Sequence, residues 1–237
     1  MSLLEKIEDL VFPPACALCG DVLQQNERYV CKTCRPMIAY PTEPTCLRCG
    51  CQISEAEQAY CDDCGRMHRS YRKGFPAMLY QYPLDESIAA FKYHNKRYHA
   101  PFYADEIVKQ HGKAILSLPI EVLVPIPIHK KKREKRGYNQ AELLANELGK
   151  RLAIPVDTEL IYRVENTEPQ KTLSPLERED NLKRAFQCTK NNVSYRCVML
   201  VDDIYTTGAT IEACTKLLCE KGISDVYYTS ICIGNGA

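Results

Sequence analysis

No stretch of the sequence approaches the roughly 18 uninterrupted apolar residues of a membrane-spanning helix, so no membrane insertion is expected. Net charge is almost absent as well. The 31 Lys and Arg against 30 Asp and Glu leave +1, which removes any whole-molecule field toward nucleic acid or an anionic membrane and confines such binding to a local patch. The opening MSLLEKIEDLVFPP lacks the basic-then-apolar layout of a signal peptide. Ser2 and Glu5 read instead as the capping box of a short amphipathic helix, and the expected location is the cytoplasm. Low-complexity segments are missing too, as are the P-loop pattern G-x-x-x-x-G-K-[ST] and a strand-linked G-x-G-x-x-G. The 237 residues, 45% hydrophobic and 26% charged, suit one main domain with a smaller appendage and exclude wholesale disorder.

What the chain does have is cysteine, unevenly spread. Of 14, nine lie between Cys16 and Cys64, and eight of these form four C-x-x-C pairs: Cys16/Cys19, Cys31/Cys34, Cys46/Cys49 and Cys61/Cys64. The unit C-x2-C-x11-C-x2-C occurs twice at a 30-residue offset, a tandem duplication. Two thiolates on one tight turn can face one metal ion, and a second such turn completes the four-thiolate tetrahedron that Zn2+ prefers. Gly20, Gly50 and Gly65 suit those turns. A segment of about 50 residues with few large apolar side chains cannot hold itself together by burial, and zinc supplies the missing folding free energy. Disulfides need an oxidising compartment, and a redox motif would be one pair rather than four in series. Two structural zinc ions are therefore expected. Spacing alone leaves sequential and interleaved ligation open, with sequential the expectation. Cys51 is spare, and Cys188, Cys197, Cys214, Cys219 and Cys232 are expected to be small buried residues. The cysteine boundary divides the chain into 1–70, a short helix plus double zinc ribbon, and 71–237.

From about residue 74 the texture alternates between short apolar runs and helix-period stretches, the pattern of an α/β domain with a parallel sheet flanked by helices. Strands are predicted over 75–82, 121–126, 196–201 and 226–233, and helices over 85–93, 104–111, 139–152 and 207–221. Asn139 caps the helix that carries Leu144, Ala145, Leu148 and Leu152 on one face, and Gly222 closes the last helix. Residues 163–182, with two prolines and eight charges, read as a loose connection.

The chemistry concentrates at 198–210, VMLVDDIYTTGAT, where an apolar strand ends in Asp202 and Asp203 and runs into a hydroxyl-rich turn that opens a helix. The carboxyl end of a parallel strand is where such sheets bind ligands. There Thr206, Thr207, Gly208, Ala209 and Thr210 offer backbone N–H groups, hydroxyls and a helix start to a monophosphate, and Gly208 permits close approach. Carboxylates just before the turn can accept hydrogen bonds from sugar hydroxyls or hold a hydrated Mg2+. A phosphorylated ribose fits both halves.

This 13-residue stretch resembles the phosphoribosyl pyrophosphate (PRPP) signature of type I phosphoribosyltransferases. The whole chain resembles the ComF-type competence proteins, in which a cysteine-rich zinc module precedes a phosphoribosyltransferase domain. Phe91-Lys92-Tyr93, Pro125-Ile126-Pro127 with the following RGYNQ, and Gln170, Leu173, Arg178, Asn181 and Ala185-Phe186 match further blocks, with Tyr138 where Phe is more usual. The resemblance implies that Asp202 and Asp203 contact the ribose hydroxyls and act in any transfer, that residues 206–210 bind the 5'-phosphate, and that His129, Arg133 and Arg136 face pyrophosphate bound with Mg2+. It implies a role in natural transformation, with single-stranded DNA and DNA-uptake or recombination proteins as partners. An active phosphoribosyltransferase on a base or nucleotide, and a non-catalytic PRPP sensor, stay open beside it. Lys130, Lys131, Lys132, Arg133, Lys135 and Arg136 place six cations in seven residues, and Lys92, Lys96 and Arg97 interleave with Tyr93 and Tyr98. Such a surface serves either pyrophosphate or a DNA backbone with stacked bases. His94, His99 and His111 read as ordinary helix-face residues.

Overall fold

A computed structural model of the chain describes residues 13–55, 57–164, 184–189 and 194–234. The expected helix at the start, most of 163–182 and the positions Gln170, Leu173, Arg178 and Asn181 lie outside them.

The sheet is built around the most apolar run of the sequence. Val198, Met199, Leu200 and Val201 are wholly buried, as suits a strand covered on both faces. This strand, Cys197–Tyr205, is the fifth in chain order. With β1 (Gly74–Tyr80), β2 (Val122–Pro125) and β6 (Asp225–Gly234) it forms a parallel four-stranded sheet in the order β1-β6-β5-β2. A separate antiparallel pair joins β3 (Ile161–Arg163) to β4 (Phe186–Cys188). Strand β5 runs four residues past the expected end at Val201, because β6 goes on pairing with it to Tyr205↔Ile233. Both aspartates are thus held on a rigid strand end.

The helices are α1 (Asp62–Arg66), α2 (Leu84–Tyr93), α3 (Ala100–Leu116), α4 (Lys130–Arg136), α5 (Gln140–Leu152) and α6 (Ala209–Glu220). None is long and apolar enough to cross a membrane. Helix α3 starts earlier than its periodicity suggested, with Pro101 in the first turn, where a missing N–H costs nothing. The Asn139 side chain caps α5 by accepting from the Ala141 N–H at 3.1 Å. The basic run, for which no helix was predicted, is helix α4. Lys and Arg are good helix formers, the His129 ring accepts from the Lys131 N–H at 3.1 Å, and Gly137 ends the helix at φ 76°.

The duplication in the cysteines is repeated in the backbone. In each ribbon the second residue of a C-x-x-C-G turn bonds across to the same relative position: Ala17 N to Tyr29 O at 2.7 Å, Leu47 N to Ala59 O at 2.9 Å. The glycines closing these turns, Gly20 and Gly50, sit at φ 81° and 77°. Gly65 lies within α1 instead. The two ribbons pack on opposite faces of the sheet. Cys16, Leu18, Val30 and Ile38 of the first join a core with α2, α3 and α5 that includes Met199 and Val201. Cys46, Cys49 and Ile53 of the second join a core with Tyr71, α6 and the alternate β5 residues Val198 and Leu200. Among the scattered cysteines Cys197, Cys214 and Cys232 are buried, whereas Cys219 is exposed on the last turn of α6 and Cys188 is half-buried.

Candidate functional site

The ligand set of each thiolate cluster is sequential: Cys16, Cys19, Cys31 and Cys34 in the first, Cys46, Cys49, Cys61 and Cys64 in the second, with the sulfurs of each within 4.8 Å of one another. The Cys19 and Cys31 sulfurs are 3.9 Å apart, those of Cys49 and Cys61 3.7 Å. A tetrahedron of about 2.3 Å Zn–S bonds has edges of about 3.8 Å, whereas a disulfide needs about 2.05 Å. Four thiolates at this spacing fit Zn2+, whose contribution is to hold two loops together where apolar burial is thin. Cys51 is buried beside the second cluster without belonging to it.

At the carboxyl ends of the strands, segments far apart in sequence meet on one aspartate. Lys92 Nζ, from the end of α2, lies 3.0 Å from Asp203 Oδ2. Gln140 Nε2, from the start of α5, donates to the same oxygen at 3.2 Å. Asp202 Oδ1 accepts from the Asp203 N–H at 2.8 Å. Burial first, and then the neighbouring Asp203 charge, push the Asp202 carboxyl up to about 8, against the pull of Lys92 and Arg163. The two carboxyls titrate as a pair, with burial favouring the protonated form on the Asp202 side.

After the acids come Thr206 and Thr207, both exposed, then Gly208 at φ 71°, whose N-cap position on α6 has no side-chain cap. A Cβ at Gly208 would stand 2.3 Å from Tyr205 Oη, so only glycine fits the turn. Ala209 and Thr210 begin α6, with the Ala209 N–H 3.5 Å from Thr207 Oγ1. The Ala209 amide is engaged by Thr207 Oγ1, and the amides that follow it at the helix start can meet an anion.

The basic residues divide. His129 caps α4. Arg133 turns away to Glu142 on α5, Nη1 to Oε2 at 2.9 Å. Arg136 lies over the exposed ring of Tyr93 at 4.8 Å, and Arg97 over Tyr138 at 4.7 Å. Lys132 is exposed on α4, within electrostatic range of Arg163, Arg136, Lys92 and Asp203. Desolvation first, and then the cations Arg163, Arg136 and Lys92, hold its ammonium below the usual lysine range, with Asp203 acting the other way. Lys130, Lys131 and Lys135 are exposed along α4. Tyr138 uses the hydroxyl that distinguishes it from Phe to donate to the Phe91 carbonyl. Of the histidines, His99 is buried against Ser87 and Tyr103, and His111 holds the Pro76 carbonyl at 2.8 Å.

Two site residues escape sequence reading. Arg163, at the end of β3, has a buried Nε with no hydrogen-bond partner among the described residues. Burial lowers its guanidinium from the ordinary arginine value, against the pull of Cys214 and Asp202. Arg69 lies 6% exposed beneath the threonine turn and donates from Nη2 to Thr207 O at 2.7 Å. Neither belongs to a motif, and their partners are distant in sequence.

Two four-thiolate ribbons clasping a parallel sheet, with an acid pair and a threonine turn at its strand ends, define a zinc-ribbon protein with an α/β unit. The family model for the double zinc ribbon domain matches residues 7–65. The chain is 32% identical over 222 residues to Competence protein F of Haemophilus influenzae, covering 89% of this chain and 93% of that protein. It is 30% identical over 208 residues to Competence protein ComFC of Bacillus subtilis, covering 85% and 82%. It is 28% identical over 228 residues to DNA utilization protein YhgH of Escherichia coli strain K12, covering 94% and 98%. The chain belongs to the competence protein F family.

Proposed function

We propose that the protein binds PRPP at the ends of β5 and α6 and handles single-stranded DNA in the cytoplasm during DNA uptake. One observation carries the reading: Lys92 and Gln140, from two separate blocks, both meet Asp203 of the third. In this reading Asp202 and Asp203 take the ribose hydroxyls, and residues 206–210 take the 5'-phosphate on helix-start amides. Lys132, Arg136 and Arg163 form the cationic side toward pyrophosphate, where Mg2+ entering with PRPP neutralises phosphate charge. The raised Asp202 carboxyl supports hydroxyl recognition, since an acid and a carboxylate side by side can both donate and accept. Arg133, paired with Glu142, is the least suited of the named cations to reach the ligand.

The exposed face of α4 with Tyr93, Tyr98 and Lys96 supports DNA contact: Lys96 lies over Tyr98 at 5.5 Å, and both tyrosines leave ring surface on which bases can stack. The relatives' names speak of competence and of DNA utilization, which favours this setting. Titration calorimetry of the zinc-loaded protein with PRPP and Mg2+, followed by pyrophosphate assay with and without oligo(dT), tests the reading. Saturable binding is expected, and pyrophosphate release would add transfer to it. Absence of binding overturns the site, and binding that survives Asp202→Ala with Asp203→Ala overturns the residue assignment.

A further inference from the structure

We propose that Arg69 is a positioning residue that fixes the phosphate-binding turn and ties its shape to the second zinc ribbon. The inference rests on the reading of residues 206–210 as a phosphate site. Its basis is a continuous set of contacts between one thiolate cluster and that turn.

Arg48 lies inside the Cys46–Cys49 turn. Its Nη1 donates to two carbonyls of the segment leaving the ribbon, Arg69 O at 3.0 Å and Tyr71 O at 2.7 Å. The side chains of that same segment grip the ligand turn and the helix behind it. Arg69 Nη2 donates to Thr207 O at 2.7 Å. The Ser70 N–H and hydroxyl donate to the two carboxylate oxygens of Glu212 on α6 at 2.8 and 2.7 Å. The Tyr71 and Tyr205 hydroxyls are bonded at 2.7 Å. A second route closes the circuit. Tyr228 Oη donates to Cys49 O at 2.7 Å, and its ring stacks on Tyr205 at 4.8 Å and 8°, the ring against which Gly208 is folded.

Arg69 is the member with a donor to spare. Its guanidinium is buried, its Nε has no hydrogen-bond partner among the described residues, and it holds a carbonyl in the middle of the turn. A buried cation with one donor unused favours whatever adds negative charge nearby, and a phosphate on the amides of residues 206–210 does so without touching it. The first ribbon is wired elsewhere. Its exit segment meets the scaffold, Ala39 O accepting from Leu79 N at 2.9 Å and Tyr40 Oη donating to Glu106 at 2.7 Å. The duplicated halves have therefore divided their work, one anchoring helix α3 and strand β1, the other shaping the ligand turn.

The test compares wild type, Arg69→Met, Arg69→Lys and Tyr40→Phe as zinc-loaded full chains. PRPP with Mg2+ is titrated by calorimetry, zinc is counted by mass spectrometry, and hydrogen exchange at 206–210 is followed without ligand. Arg69→Met is expected to weaken PRPP about tenfold, the scale of one charge-assisted hydrogen bond removed, with two zinc ions retained and faster exchange at 206–210. Arg69→Lys recovers part of the affinity, and Tyr40→Phe stays within about twofold of wild type. If Arg69→Met loses zinc, Arg69→Lys carries the comparison. Affinities and exchange unchanged in both Arg69 variants overturn the inference. A wild type that binds no PRPP overturns the site reading alone, and the exchange comparison then still decides whether Arg69 holds the turn.

Discussion

Gly208→Ala probes the ligand turn with a cost that can be worked from the structure in two parts. The first is backbone: φ of 71° lies in the left-handed region, where a Cβ costs about 1–2 kcal/mol. The second is local. The new methyl would stand 2.3 Å from Tyr205 Oη, 2.6 Å from Cζ and 2.8 Å from Cε2. Tyr205 cannot swing aside, because Tyr228 stacks on its face and Tyr71 holds its hydroxyl. Overpacking of this kind costs about 1–3 kcal/mol, so the sum is about 2–5 kcal/mol and the melting temperature falls by roughly 5–15 °C. Gly222→Ala supplies the control, with φ 93° and nothing within 4 Å of the added methyl, so it carries the backbone part alone. Tyr205→Phe combined with Gly208→Ala relieves only the hydroxyl overlap, since the ring carbons remain, and recovers a minor share. Circular-dichroism melts at matched zinc content read all three. Equal losses in Gly208→Ala and Gly222→Ala would refute the packing argument and with it the claim that Tyr205 shapes the turn.

Lys92→Met leaves Asp203 with Gln140 Nε2 as its remaining side-chain donor among the described residues; a loss of about 1–3 kcal/mol in urea unfolding is expected, with partial rescue by Lys92→Arg, and an unchanged midpoint contradicts the pairing. Burial lowers the His99 imidazole to about 4, below its unfolded value near 6.5, so the unfolded chain takes up the proton first and His99 removes stability as pH falls through that window. Its NMR signal should stay that of a neutral ring at about pH 5.5; a midpoint near 6.5 contradicts the burial argument. Replacing Lys130, Lys131, Lys132 and Lys135 with Gln should flatten the salt dependence of oligo(dT) binding, by up to about 0.7 in the log–log slope for each phosphate no longer neutralised, and an unchanged slope removes α4 from the DNA surface. Metal analysis should find two zinc ions per chain, and a Cys19→Ser, Cys31→Ser variant one; two in that variant would show that the ligation is not sequential.

Much of this architecture was legible in the sequence because local chemistry imposes it. A C-x2-C unit encodes a turn, a second one 11 residues on encodes a closed thiolate set, and an apolar run ending in Asp-Asp-Ile-Tyr-Thr-Thr-Gly encodes a strand, an acid pair and a turn. Three features were not legible. Strand β5 continues through its two aspartates because β6 pairs with Asp202 and again with Ile204 and Tyr205, and pairing is a property of the partner strand. The basic run becomes a helix because helix propensity and a Gly137 terminator outweigh the repulsion between its neighbouring cations. Arg69 and Arg163 owe their places to carbonyls, rings and carboxylates that the sheet brings to them from distant parts of the chain.

The order of the sheet also governs how the chain can be assembled during synthesis. Strand β6 leaves the ribosome after β1 and β5, yet it lies between them. Until it arrives, β1 has no neighbour, β5 has one bare edge, and the apolar faces meant for the two ribbons exist only in part. The ribbons, made before the sheet and closed by metal, can take up fixed shape in the meantime. Low zinc during translation should therefore favour aggregation of the chain over insertion of its last strand.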